Sequence, residues 1–301
     1  MHTNMCTLSA KRFERFWKMD LCDYSTIKDL LSRHNFKFNK SLGQNFLIDP
    51  TVCPKMVKSL NIDDKPTGTV EIGPGVGVLT KELSTVSQKV LSVEIDKMLL
   101  PVLGETLSEC DNVKIINGDI LKMNIKELVE TEFSGVENVC VCANLPYYIT
   151  SPVIMAFVES GANIDQMVFM VQKETAERFC APVGSRQSGA VTVMLNYYAQ
   201  AEILFDVPKT SFTPSPKVDS AVISITPRAQ KAVEIEDEKH FIKVIKAAFL
   251  QRRKTAVNSI SAGLGIPKDT VKEALNKIGI DERARVENFS MQDFATLSTL
   301  I

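Results

Sequence analysis

Thr69-Val70-Glu71-Ile72-Gly73-Pro74-Gly75-Val76-Gly77-Val78-Leu79-Thr80 is the stretch that decides the fold. A β-branched run leads into three glycines at alternate positions, and an apolar periodicity of helical spacing begins at Val78. Gly73, Gly75 and Gly77 let the backbone approach a ligand where side chains would collide. The spacing is G-x-G-x-G, unlike the G-x-G-x-x-G of dinucleotide-binding folds, and an acid, Glu71, stands ahead of it.

Two further strands follow on the carboxyl side. Val90–Asp96 carries Glu94 near its end, and Val113–Asp119 ends in a second acid. An acid after the second strand can accept both hydroxyls of a ribose, and Asp119 is placed to accept from an adenine amino group. Helical stretches over 78–86 and 97–108 separate these strands, so the pattern is that of a doubly wound parallel α/β sheet with a nucleoside site along one edge. A carboxyl before a glycine loop also suits a cationic ligand. S-adenosyl-L-methionine, with an ammonium and a sulfonium, has that chemistry.

The fourth strand, Val139–Ala143, runs into Asn144-Leu145-Pro146-Tyr147-Tyr148. Asn144 offers an amide oxygen, Pro146 stiffens the turn and Tyr147 presents a stacking face, a set suited to a planar heterocycle with an exocyclic amine. A helix over Pro152–Ser160, a strand over Gln166–Val171 and a polar helix over Lys173–Phe179 come next. Residues 190–207, rich in Val, Leu, Ile, Tyr and Phe, are expected to form two more strands in a sheet of about seven. A strand over Ala221–Thr226 then closes the large domain. Between them, Phe212-Thr213-Pro214-Ser215-Pro216-Lys217-Val218-Asp219-Ser220 is a proline-stiffened loop. Phe212 either covers a base held against Tyr147 or plugs the core. From His240 the pattern is helical: Phe241, Val244, Ile245, Ala248 and Phe249 share a face, and Arg252-Arg253-Lys254 follow.

Upstream of the glycine loop, 25–34 reads as an amphipathic helix. Phe36–Ser41 interleaves aromatic and basic residues, and Gln44-Asn45-Phe46-Leu47 sets amides beside an aromatic. The net charge of −1 hides an uneven distribution: +5 over residues 1–60, −10 over 61–208 and +4 over 209–301. Basic ends around an acidic middle can clamp a polyanion. The seven cysteines are scattered without zinc-type spacing, so reduced core thiols and no metal are expected. No apolar run reaches the roughly 18 residues of a membrane span, and the N-terminal residues carry no secretory core. The expected location is cytoplasmic.

With Ser41–Leu47, Glu71–Thr80, Glu94, Asp119, Asn144–Tyr148, Phe212–Ser220 and Arg252–Lys254 in view, the chain resembles the ribosomal RNA adenine N6-dimethyltransferase family over roughly residues 25 to 300, most closely its bacterial small-subunit type. The resemblance implies a Rossmann-like, seven-stranded, S-adenosylmethionine-dependent methyltransferase domain. Its boundaries are expected at residues 25–230, after an N-terminal extension (1–24) that is disordered or non-native. A helical RNA-binding domain is expected at 231–301. It further implies a cofactor set of Gln44, Asn45, Leu47, Gly73, Gly75, Glu94, Ile95, Asp119, Ile120 and Asn144. The catalytic set is Asn144, Leu145, Pro146, Tyr147 and Phe212, with Tyr147 and Phe212 sandwiching the base. Lys37, Lys40, Arg186, Lys217, Arg252, Arg253 and Lys254 are the RNA-binding candidates. The expected acceptor is a pair of adjacent adenosines in small-subunit rRNA of an immature 30S subunit, met by a monomer. The open alternatives are a large-subunit rRNA methyltransferase and a non-catalytic assembly factor.

Overall fold

The computed structural model describes residues 19–37, 43–62 and 65–301. Residues 1–18 and Lys40 therefore lie outside what is described. The described residues divide into two compact units: those within 1–172 together with 205–224, and 173–204 together with 225–301.

The seven-stranded sheet is built from β2 (Thr67–Ile72), β3 (Lys89–Glu94), β4 (Val113–Asn117), β5 (Asn138–Asn144), β6 (Gln166–Gln172), β7 (Ala199–Val207) and β9 (Ser220–Pro227), in the order β4-β3-β2-β5-β6-β9-β7. β4, β3, β2, β5 and β6 are joined by parallel ladders. The chain builds outward from β2 to β4, then returns to lay β5 on the other side of β2. The boundary between β2 and β5 is thus the point at which the strand order reverses, where an open sheet leaves a crevice at its carboxyl edge. β2 and β5 are buried nearly throughout, as continuous β-branched and small apolar runs require for strands covered on both faces. A separate two-stranded ribbon pairs β1 (Phe46–Leu47) with β8 (Phe212–Thr213), antiparallel, with Leu47 opposite Phe212.

Helices of this first unit follow local rules. Asp23 caps α1 (Tyr24–Arg33) by accepting from the Thr26 N–H at 2.9 Å. The helix buries Ile27, Leu30 and Leu31 against Phe46, Val76 and the Leu99–Leu107 region. Leu21 joins the same cluster and Met19 packs on it, so residues 19–24, expected to be loose, are part of the fold. The second helix is α2 (Val52–Lys58), and α3 (Val78–Val86) has the expected bounds. α4 (Leu100–Thr106) accepts a further tie: Glu105 receives Arg33 Nη1 and meets His34 Nε2, both at 2.7 Å. α5 (Ile125–Glu132) and α6 (Thr150–Glu159) complete the crossovers.

In the second unit, α7 (Lys173–Phe179) is where the sequence places it. Residues 190–198 correct the expectation of a strand: they form α8 (Ala190–Tyr198). Thr192 fixes its first turn, its Oγ1 accepting from the Gly189 N–H at 3.0 Å and donating to the Arg178 carbonyl at 2.7 Å. α9 (Glu238–Ala248) is capped by Asp237 and followed by α10 (Ala256–Leu264), α11 (Lys268–Lys277) and α12 (Met291–Leu300), the last entered through a Ser290–Asp293 capping box. No helix of the described residues is long and apolar enough to cross a membrane.

Candidate active site

At the carboxyl edge of the reversal point lies a cleft of about 240 Å³, formed entirely within the first unit. Its walls come from the segment 43–47, the glycine loop after β2, the end of β3, residues 118–121 after β4, residues 144–149 after β5, and Phe212 of β8. Gly73 and Gly75 have φ values of 69° and 60°, conformations that a side chain resists. A Cβ on Gly75 would sit 3.4 Å from the Phe46 ring, whereas one on Gly73 would point into open space with nothing within 4 Å. The loop therefore leaves room for another molecule to lie against the backbone at Gly73.

Two buried carboxyls dominate the floor. Glu71 is 1% exposed, and its Oε2 accepts from both Thr80 Oγ1 and Ser92 Oγ at 2.7 Å. Burial pushes it up from 4.5 to about 7, against the pull of those two hydroxyls. Glu94 is also buried and also raised to about 7, again chiefly by burial, with backbone N–H groups of Asp96, Gly75 and Ile95 opposing. The Asp96 N–H reaches Glu94 Oε1 at 2.7 Å. No Lys, Arg or His lines the cleft among the described residues. Such a floor favours a ligand that brings positive charge or hydrogen-bond donors.

Around this floor the remaining polar groups are held by short ties. Asp96 accepts from Gln44 Nε2 at 2.7 Å, fixing the 43–47 segment to the end of β3. Asn45 Nδ2 donates to the Gly43 carbonyl at 3.0 Å. The Gly118 N–H and Asn117 Nδ2 both donate to the Glu94 carbonyl, at 2.9 and 2.7 Å, locking the β4 end to the β3 end. Asp119 accepts from the Leu121 N–H at 3.1 Å and has Lys122 Nζ 3.6 Å away on its outer side.

On the other bank, the Leu145 N–H donates to the Met170 carbonyl at 3.2 Å, so the residue after Asn144 is still tied to β6. Leu145 is buried and Tyr147 is half-buried, its hydroxyl 2.8 Å from Ser220 Oγ. Burial raises the Tyr147 phenol, with Ser220 acting against it. Phe212 is 4% exposed yet lines the cleft with Tyr147, so the two readings of this residue converge: it closes the core and faces the site.

Every expected cofactor and catalytic residue lines this one cleft: Gln44, Asn45, Leu47, Gly73, Gly75, Glu94, Ile95, Asp119, Ile120, Asn144, Leu145, Pro146, Tyr147 and Phe212. The RNA-binding candidates do not. Lys37 and Lys217 are exposed elsewhere on the first unit, and Arg186, Arg252, Arg253 and Lys254 are exposed on the second. There Arg252 Nη2 donates to the Arg186 carbonyl at 3.0 Å, joining two loops far apart in sequence. Three contributors went unassigned in the sequence: Asp96, Tyr148 and Ser220. Asp96 carried a usable signal, a second acid two residues after Glu94, and Ser220 closed the proline-rich loop. Six described cysteines are free thiols, Cys53 among the cleft residues. No group of three or more His, Cys, Asp or Glu able to hold a metal occurs among the described residues.

The family model described as ribosomal RNA adenine dimethylase matches residues 35–301. A ribosomal RNA small subunit methyltransferase A from Geobacillus thermodenitrificans is 44% identical over 94% of this chain and 97% of its own. One of the same description from Clostridioides difficile is 42% identical, covering 93% and 96%. Among solved structures, the 23S rRNA methyltransferase ErmE is similar with a TM-score of 0.62 at 25% identity, over 85% of this chain and 98% of that one. A Plasmodium falciparum dimethyladenosine transferase shares the fold, with a TM-score of 0.67 at 24% identity, covering 83% and 95%. The glycine loop, the strand-end acids and the Asn144–Tyr148 turn lie within the matched residues, and the chain belongs to the ribosomal RNA adenine dimethylase family.

Proposed function

We propose that this enzyme transfers methyl groups from S-adenosylmethionine to N6 of two adjacent adenosines in small-subunit rRNA, giving N6,N6-dimethyladenosine during ribosome assembly. The observation that carries the reading is the meeting, in one cleft, of the acid-floored glycine loop with Asn144–Tyr147 and Phe212. The residues fit the cofactor. An open backbone at Gly73 receives a ligand without a side chain in the way, and Glu94 stands ready for hydroxyl donors. Gln44, Asn45, Leu47, Gly75, Ile95, Asp119 and Ile120 would hold it. When bound, S-adenosylmethionine supplies an electrophilic methyl on a cationic sulfur.

The chain's own residues then act on the acceptor. An adenine N6 lone pair is delocalised into the ring, and the amine is a poor nucleophile. The Asn144 amide oxygen and the Leu145 carbonyl accept from the amino hydrogens and hold the nitrogen in place, while Tyr147 and Phe212 stack on the two faces of a base taken out of its helix. Such stacking is worth about 1–3 kcal/mol per base. Positioning and electrostatics carry the catalysis, with no covalent intermediate on the enzyme, and the proton that N6 loses at each transfer passes to water.

Residues 25–230 act as the methyltransferase domain and 231–301 as the helical RNA-binding domain in this reading. Arg186, Arg252, Arg253 and Lys254, with Lys37, Lys40 and Lys217, meet RNA phosphates. The protein works as a cytoplasmic monomer on immature 30S subunits. The choice of the small subunit follows the relatives at 42–44% identity, named as small-subunit methyltransferases. The structural likeness to a 23S enzyme supports the alternative of a large-subunit target. Primer extension on both rRNAs separates them. Asn144→Ala should abolish transfer of tritiated methyl to small subunits lacking the modification while weakening cofactor binding only modestly, the other residues of the cofactor set being intact. Full activity in that variant would refute the mechanism.

A further inference from the structure

We infer that Ser220 is a positioning residue that acts through the Tyr147 hydroxyl, fixing the aromatic wall of the acceptor site to the central sheet. This rests on the reading of Tyr147 as a wall for the base, and extends it to a residue outside the cleft. Ser220 is fully buried at the first position of β9, and its Oγ lies 2.8 Å from Tyr147 Oη. A hydroxyl buried so completely needs a partner, and among the described residues it has Tyr147. Tyr147 itself is only half-buried, so its ring has room to swing unless the phenol is held. Tyr148 next to it is 54% exposed and has no side-chain hydrogen bond among the described residues.

The segment that carries Ser220 is itself pinned. The Lys209 N–H donates to Asp219 Oδ1 at 2.9 Å, and Ser215 Oγ donates to the Lys209 carbonyl at 2.8 Å. Ser211 Oγ donates to Asp49 Oδ2 at 3.0 Å, and the Ile48 N–H donates to the Ser211 carbonyl at 2.8 Å. Phe212 and Ser220 thus leave one braced stretch, Phe212 forming one wall and Ser220 gripping the other. The distance between the walls is set by this stretch and not by the turn that bears Tyr147 alone. The Ser220–Tyr147 bond transfers no proton in the reaction; its role is to hold the ring plane before the base arrives.

The test is a double-mutant cycle on full-length protein, with unmodified small subunits as acceptor. S220A and Y147F remove the same bond from its two ends, and Y147F does so without touching the buried strand. Each should lower kcat/KM for the RNA about 3- to 10-fold, the range expected for one hydrogen bond. The cofactor Kd measured by calorimetry should not change. The double variant should be no worse than the poorer single one, because only one bond is being removed. A role for Ser220 in packing alone would lower the unfolding temperature and give losses that multiply in the double variant. Multiplying losses, or wild-type kcat/KM in both S220A and Y147F while Y147A is inactive, overturns the clamp. Full activity of Y147A overturns the wall itself, and the clamp with it.

Discussion

Glu71→Gln should make the protein more stable above neutral pH, and the gain should disappear in acid. The unfolded chain releases the Glu71 proton near 4.5, and the folded chain keeps it until about 7. Between these values the native state binds more protons than the unfolded one, so stability falls as pH rises, and the full penalty is present above about 7. Moving one carboxyl that far costs about 3 kcal/mol. Glutamine keeps the shape and removes the charge. Thr80 Oγ1 and Ser92 Oγ, each 2.7 Å from Oε2, then meet an amide in place of a carboxylate. Weakening two charge-assisted bonds returns roughly 1 kcal/mol, leaving a net gain of about 2 kcal/mol at pH 8. For 301 residues at about 2.1 cal/mol/K each, that is a rise in unfolding temperature of roughly 3 °C. Thermal unfolding followed by circular dichroism from pH 5 to 8.5, with the parent protein beside it, reads the effect directly. A variant less stable than the parent at pH 8, or one whose difference from the parent is the same at pH 5 and pH 8, refutes the account of Glu71 as a buried carboxyl that the fold holds against its solvation.

Two other outcomes follow from the second unit. A Cβ on Gly263 of α10 would lie 2.5 Å from Ala247 Cβ on α9, so Gly263→Ala should cost about 1–3 kcal/mol in urea unfolding, and adding Ala247→Gly should recover part of it; a variant as stable as the parent would show that the two helices can separate freely. Replacing Arg252, Arg253 and Lys254 with alanine should flatten the plot of log K against log salt for an rRNA fragment by about 2–3, because each exposed cation that meets a phosphate contributes roughly 0.7–0.9; an unchanged slope removes the three from the interface.

Much of the site was legible because its signals are local. Val70–Gly77 reads as a strand breaking into glycines whatever the remainder of the chain does, and Glu94 and Asp119 stand at strand ends that the same alternation marks. α8 was misread for a physical reason. Thr192, Val193, Met194, Leu195 and Tyr197 are all buried, and a nine-residue helix apolar on nearly every side shows no 3.6-residue period to tell it from a strand. The β1–β8 ribbon was equally hidden: two residues have no periodicity, and Leu47 meets Phe212 across 165 positions of chain. Asp96 and Ser220 acquire their roles from partners at positions 44 and 147, which no spacing rule connects. The assignment of residues 173–204 to the unit containing the C-terminal helices has the same origin, since no glycine- or proline-rich linker marks residue 172.

The charge of the cleft also bears on how a polyanion can use it. Among the described residues Glu71 and Glu94 have no basic partner, and Asp119 has the exposed Lys122. Above about pH 7, where Glu71 and Glu94 ionise, a phosphate brought to this floor would meet like charge in a partly dry setting, where screening by salt is weakest. A neutral base with amino hydrogens to donate meets no such penalty. Under the proposed function, the base enters this cleft and the backbone stays out. The cations that would hold that backbone are correspondingly absent from the cleft walls and stand exposed at Lys37, Lys217, Arg186 and Arg252–Lys254. Such a separation of base recognition from phosphate binding would reconcile a net charge of −1 with an RNA substrate. In that reading the acidic middle of the sequence suits a pocket for cationic and amine-bearing groups, and the excess of basic residues at either end would draw the strand to it.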